Sequence, residues 1–136
     1  MKQSRLVQKP WQKGQFNTKA KTERNKNRQR HGACHVIELL GFLTDLNNKE
    51  LPVEFFFYTN TDAKASSLAD ALMKMRYTVY GFGLCGYDKS RYSIAGCTPK
   101  MKMTDDTMTQ WAEQMCELAL EYDCDFDGWG TSPDME

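Results

Sequence analysis

The chain has no run of 18 apolar residues and no apolar stretch behind its basic start. Neither a membrane-spanning helix nor a secretory signal is therefore expected, and a cytoplasmic location is the default. C-x-x-C pairs are missing too. Cys34, Cys85, Cys97, Cys116 and Cys124 are odd in number, and in a reducing compartment they read as small buried hydrophobes rather than disulfides or metal ligands. Histidine is scarce. His31 and His35 lie four apart with Cys34 between them, a spacing that puts two ligands on one helical face, but no further ligands accompany them and no metal is expected. The patterns G-x-x-x-x-G-K-S/T, G-x-S-x-G and H-E-x-x-H do not occur, and the glycines of GFGLCG fall on an expected strand rather than at the start of a helix. With no activated nucleophile, no acid–base pair and no cofactor motif, an enzyme is the least favoured class.

Net charge is also absent, but only in sum. The 136 residues carry 18 basic and 18 acidic side chains. Residues 1–31 hold ten Lys or Arg against the single acid Glu23, a balance of +9, and residues 32–136 hold eight against seventeen, a balance of −9. The asymmetry divides the chain into a basic arm, 1–31, running into an N-terminal helix, and an acidic body, 32–136. From Met1 to about Asn27 the arm is polar, with Pro10 and Gly14 as breakers. It has too little apolar surface to offset the entropy of ordering, so it is expected to be mostly disordered when free.

The body reads as alternating elements. Ala33, Val36, Ile37 and Leu40 give a helical stripe, and a helix is expected from about Glu23 to Leu40. Leu46 to Pro52 is a polar connector, and Val53 to Tyr58, VEFFFY, is the strongest strand signal. A helix follows over Asp62 to Arg76, capped by Thr61 or Asp62, with Ala65, Leu68, Leu72 and Met75 as its buried stripe. Thr78 to Cys85 and Arg91 to Thr98 are two strands whose glycines 81, 83, 86 and 96 suggest bulges or an edge position. Thr104 then caps a long helix with Met108, Trp111, Ala112, Met115, Leu118, Ala119 and Tyr122 on one face. At its end the period changes from 3.6 to two, with Cys124 and Phe126 alternating with Asp123, Asp125 and Asp127.

The order is helix, then β-α-β-β-α-β. It predicts an α+β, ferredoxin-like βαββαβ sandwich: a four-stranded antiparallel sheet with two helices on one face, preceded by an N-terminal helix and a basic arm. Right-handed crossovers place the Val53 and Arg91 strands at the centre. With Val53, Phe55 and Phe57 turned to the helices, Glu54, Phe56 and Tyr58 face outward, joined by Asp125 and Asp127 from the last strand. Aromatics on such a face are how RNA-recognition domains stack bases, but carboxylates there repel phosphate, so the face suits a basic peptide or protein segment better. The three aspartates, with Glu54, also offer oxygen ligands to a cation. A solvated strand face is the favoured reading, since no Ca²⁺-binding loop surrounds them.

The segment ELALEYDCDFDGWG, Glu117 to Gly130, resembles the C-terminal signature of the ribonuclease E inhibitor RraB family, a helix ending in an acidic-aromatic strand closed by Asp-Gly-Trp-Gly. The resemblance extends through VEFFFYTNTDAKASSLADALMKMRYTV and covers about residues 34 to 131. It implies a ferredoxin-like α/β sandwich, no catalysis, and regulation of messenger-RNA decay by contact with the scaffold part of ribonuclease E. No catalytic residue is carried over. Asp127, Gly128, Trp129 and Gly130 transfer as the signature, with Gly128 permitting a turn and Trp129 packing the end of the sheet.

These readings lead to a non-catalytic regulator of RNA processing or decay, with no cofactor. Its acidic body docks a basic segment of an RNA-processing protein such as ribonuclease E, through Glu54, Phe56, Tyr58, Asp125, Asp127 and Trp129. The alternative is an RNA-binding protein acting through the arm, whose cations and interleaved aromatics are Lys9, Trp11, Lys13, Phe16, Lys19, Lys21, Arg24, Arg28 and Arg30. A third reading lays the arm on its own acidic face until RNA or a partner displaces it.

Overall fold

The computed structural model describes residues 15–30, 50–84 and 91–131. Residues 19–30 form a helix, α1. The body then runs β1 (Glu50–Leu51), β2 (Glu54–Thr59), α2 (Asp62–Lys74), β3 (Thr78–Leu84), β4 (Tyr92–Cys97), β5 (Met101–Lys102), α3 (Asp105–Glu121) and β6 (Asp125–Gly130). Four strands make an antiparallel sheet in the order β3-β4-β2-β6, and β2 and β4, the strands read from Val53 and Arg91, occupy its centre. The short strands β1 and β5 pair with each other across residues that read as a connector and a strand stop. Two residues are too few to show a period.

One apolar core holds the body together. Phe55 and Phe57 are buried on one side of β2 while Phe56 is exposed on the other, as a period of two requires. Ala65, Leu68 and Leu72 of α2 and Met108, Trp111, Ala112, Met115 and Ala119 of α3 join them with Ile94 and Phe126, so both helices cover the same side of the sheet. The Phe57 and Phe126 rings lie 5.1 Å apart, and Trp111 meets Phe126 edge-on at 5.9 Å. Each such ring, fully buried, contributes on the order of 1.5–3 kcal/mol through area alone. Both helices start on threonine caps. The Thr61 hydroxyl accepts from the Lys64 amide at 3.3 Å, and the Thr104 hydroxyl accepts from the Thr107 amide at 3.2 Å.

Several expectations need correction. Met75 is 42% exposed and does not belong to the α2 stripe, because the helix stops at Lys74 and Arg76, at φ 69°, turns the chain into β3. Lys64 is buried in the first turn instead. Gly96 marks neither an edge nor a bulge. It lies in central β4, where a β-carbon would stand 2.2 Å from the Thr78 carbonyl oxygen and 2.5 Å from the Phe55 ring, so only glycine lets β3 and Phe55 close on it. The bulge falls in edge strand β3, between Val79 and Gly81. Asp123 is not part of the last strand. It follows α3 with φ 55°, a left-handed conformation that Asp tolerates, and β6 begins at Asp125. The expected Glu23–Leu40 helix is described from 19 to 30, and its remainder, with His31, Cys34 and His35, lies outside the described residues, as do Lys9, Trp11 and Lys13.

Candidate binding surface: the open sheet face and its flanking helix

Residues 15–30 are not a free arm. Their buried positions are Asn17, Thr22, Asn25 and Gln29, a stripe at helical spacing made wholly of polar side chains. The partner explains the chemistry. β6 is an edge strand, and an edge presents a row of unpaired backbone groups. Asn17 Nδ2 donates to the Cys124 carbonyl at 2.7 Å, Asn25 Nδ2 to the Phe126 carbonyl at 2.7 Å, and Gln29 Nε2 to the Asp127 carbonyl at 3.3 Å. The helix thus runs along β6 and caps its edge with amide side chains. Lys26 and Arg30 on its flank pair with Glu117 and Glu113 of α3. The hydrogen bond to Glu117 is the chief reason the Lys26 ammonium titrates above its usual range, burial opposing it.

Asp123 locks this helix at its start. Its carboxylate accepts from the Phe16 and Asn17 amides, each at 2.7 Å, and from the Lys64 ammonium at 2.7 Å. Lys64 Nζ also donates to Asn60 Oδ1 at 2.7 Å. Asp123 is 4% exposed and Lys64 1%, so the ion pair is dry and geometrically saturated. The aspartate that read as the first of three on a solvated strand face is therefore an internal anchor. Glu54 and the other two aspartates cannot gather round a cation with it, and no group of three or more metal-ligating side chains exists among the described residues.

On the side of the sheet away from α2 and α3, β2 presents Glu54, Phe56 and Tyr58, and β6 presents Asp125 and Asp127. The last strand does not keep a simple period. Phe57 pairs with Phe126, but Phe56 pairs with Gly128, so Asp127 is an extra residue in a bulge. Gly128, at φ 155°, supplies the backbone that the bulge needs. The shift in parity turns Trp129 to the helix side, where its ring meets Trp111 edge-on at 6.3 Å. Trp129 is thus a brace for the core and not part of the open face with which it was grouped. Asp127 is exposed and Phe56 is 37% exposed, large for an aromatic in mid-sheet. Tyr80, on the β3 bulge, lies near Cys97 and Glu54; desolvation first, then its hydrogen bond with Cys97, raise its hydroxyl above the usual range.

The opposite end of the same face has a different sign. Phe16, Asn17, Lys21, Arg24, Asn25 and Arg28 of the α1 segment, with Arg91 and Asp125 of the sheet, line a cleft of about 310 Å³. Asp125 is half-buried in its lining and accepts from Asn25 Nδ2 at 3.2 Å. Burial raises its carboxyl above the ordinary 3.8, with Arg28 pulling the other way. The Arg91 guanidinium lies 5.6 Å over the Tyr58 ring, and Arg28 Nη2 donates to Asn25 Oδ1 at 2.7 Å. Of the arm cations singled out in the sequence, the structure gathers Lys21, Arg24 and Arg28 here. Arg30 is spent on Glu113, and Lys19 is exposed without lining the cleft. Arg91 was missed, because nothing in a local sequence window joins the first residue before β4 to a helix near the N-terminus.

The buried thiols add no chemistry to either end. Burial pushes Cys116 and Cys124 each up to about 12, so both stay protonated at neutral pH.

The class these observations define is a small α+β domain with an open, aromatic sheet face and no helix, among the described residues, long and apolar enough to cross a membrane. Comparison with protein families matches residues 35–131 to the family described as regulator of ribonuclease activity B. The chain belongs to that family, whose function is regulation of a ribonuclease. Comparison with curated proteins finds no match. The matched residues include β1 to β6 and the Asp-Gly-Trp-Gly closure, while the described part of α1 lies ahead of them.

Proposed function

We propose that this protein is a non-catalytic, cytoplasmic regulator of RNA processing or decay that docks a basic segment of a ribonuclease E-type partner on its open sheet face. The observation that carries the reading is Phe56, an exposed aromatic in mid-sheet between Glu54 and Asp127. An aromatic anchor that docking buries, ringed by charge opposite to that of the partner, is the usual anatomy of a protein docking site. Glu54, Phe56, Tyr58 and Asp127 form the contact. Asp125 is turned to the cationic cleft and Trp129 to the core, so neither is a primary contact. The family supports a ribonuclease as the object of regulation. The strand order β3-β4-β2-β6, with α2 and α3 in the two crossovers, supports the ferredoxin-like plan that leaves this face open.

Calorimetric titration of the full chain with scaffold fragments of ribonuclease E tests the proposal. Binding is expected, and Phe56→Ala weakens it by about tenfold, the equivalent of about 1.4 kcal/mol. Glu54→Gln with Asp127→Asn weakens it further at low salt than at high salt. Absence of binding by the parent chain to every scaffold fragment overturns the reading.

A further inference from the structure

The docking just proposed shares only Tyr58 with the cationic cleft and uses none of its cations. We infer that the cleft binds the phosphodiester backbone of single-stranded RNA, held by Lys21, Arg24 and Arg28 of α1 and Arg91 just ahead of β4. The site lies at the Tyr58 end of the face, away from Glu54 and Asp127, and stands whether or not a protein docks there.

Three features of the cleft select this ligand. First, Lys21, Arg24 and Arg28 are spaced three and four residues apart, so they follow one line on the helix over roughly 10 Å. A row of cations fits a chain of charges better than a single anion. Second, the fourth cation comes from the body rather than the helix, and it lines the same space of about 310 Å³ as the row. Among the described residues, four cations against the carboxylate of Asp125 leave the cleft positive, and the Asn25 hydrogen bond holds that carboxylate toward α1. Third, the cleft opens on a sheet surface made for flat groups. Tyr58 lies under Arg91, Phe16 lines the cleft, and the neighbouring outward positions of β3 and β4 are Gly81, Gly83, Ser93 and Ala95. A positive track beside aromatic and low-relief surface is the arrangement by which proteins hold single strands without reading their sequence. An acidic peptide would use the cations and leave the stacking surface idle.

Two other cations of α1 serve a different end. Lys26 and Arg30 are committed to Glu117 and Glu113, which fixes the helix so that the other edge of its charge points at the cleft. The cleft is therefore a built part of the folded chain rather than a property of a basic tail.

The test is fluorescence anisotropy with the full chain and a short labelled single-stranded RNA of mixed sequence. Arg91→Gln is the informative variant, because Arg91 is exposed and belongs to the body, not to the arm. It should weaken binding on the order of three- to fivefold and reduce the slope of log affinity against log salt by about 0.7, the value for one phosphate contact on a single strand. Lys21→Gln should do the same. Lys74→Gln, an equal loss of charge at the exposed end of α2, should leave affinity unchanged. Circular dichroism establishes that each variant is folded. The proposal is overturned if Arg91→Gln binds like the parent, if Lys74→Gln loses as much, or if polyglutamate displaces the RNA as well as unlabelled RNA does.

Discussion

Asp123→Asn is the sharpest perturbation of this fold. Asparagine is as comfortable as aspartate at the left-handed φ of 55°, so the substitution changes the charge and leaves the backbone unstrained. What it removes is the negative partner of the Lys64 ammonium 2.7 Å away, in a place where both side chains are almost wholly buried. Breaking such a pair from one side costs about 3–5 kcal/mol, a large part of the roughly 5–15 kcal/mol that stabilises a domain. The Asn60 oxygen still accepts from Lys64 and softens the loss, which places it toward the lower end. The Phe16 and Asn17 amides also lose the charge on their acceptor, so α1 opens before the rest of the molecule. Thermal unfolding followed by circular dichroism should show a fall in melting temperature on the order of 10 °C. Hydrogen exchange should show residues 15–30 losing protection while β2 and α3 keep theirs. Adding Lys64→Met to Asp123→Asn removes the stranded ammonium and recovers part of the loss. The reasoning is refuted if Asp123→Asn melts with the parent, or if the double variant is less stable than Asp123→Asn alone.

Other consequences are as direct. Asn25→Ala with Gln29→Ala strips the Phe126 and Asp127 carbonyls of their partners, at about 1–3 kcal/mol for each group left unsatisfied, measured by urea unfolding. The same variant exposes the β6 edge, and sedimentation should detect self-association that the parent does not show. Gly96→Ala forces the Thr78 backbone and the Phe55 ring off a new β-carbon at 2.2 and 2.5 Å, and should cost more than the roughly 1–3 kcal/mol of ordinary overpacking. Burial raises the Asp125 carboxyl above 3.8, so its charged form opposes both folding and RNA. That burden lifts as pH falls through the folded-state value. RNA affinity of the parent should accordingly rise on acidification, while Asp125→Asn binds more tightly than the parent at neutral pH and gains less from acid.

Much of this body is legible because its elements are strongly periodic. The α3 stripe from Met108 to Ala119 and the alternation through Phe55 and Phe57 each report a buried face, and burial is what selects those residues. The Asp-Gly-Trp-Gly closure is legible as a signature, yet its geometry is not. The bulge at Asp127 reverses the parity of everything after it, and a period of two then assigns Trp129 to the wrong face. The placement of α1 is hidden for a different physical reason. Its buried stripe is Thr22, Asn25 and Gln29, of which Asn25 and Gln29 satisfy backbone carbonyls of a strand about a hundred residues away, Phe126 lying 101 positions beyond Asn25. A search for apolar periodicity passes over such a helix. Lys64 and Asp123 are hidden alike, since each reads as a surface charge until the fold brings them together and takes both out of water. Arg91 joins the cleft only through the sheet order.

The docking claim is tested most directly by following backbone amide chemical shifts of the labelled full chain as a basic scaffold segment of ribonuclease E is added. The account predicts shifts at Glu54, Phe56, Tyr58 and Asp127, with the exposed side of α2 around Asp70 undisturbed. Shifts confined to α2, or no shifts at saturating segment, would contradict it.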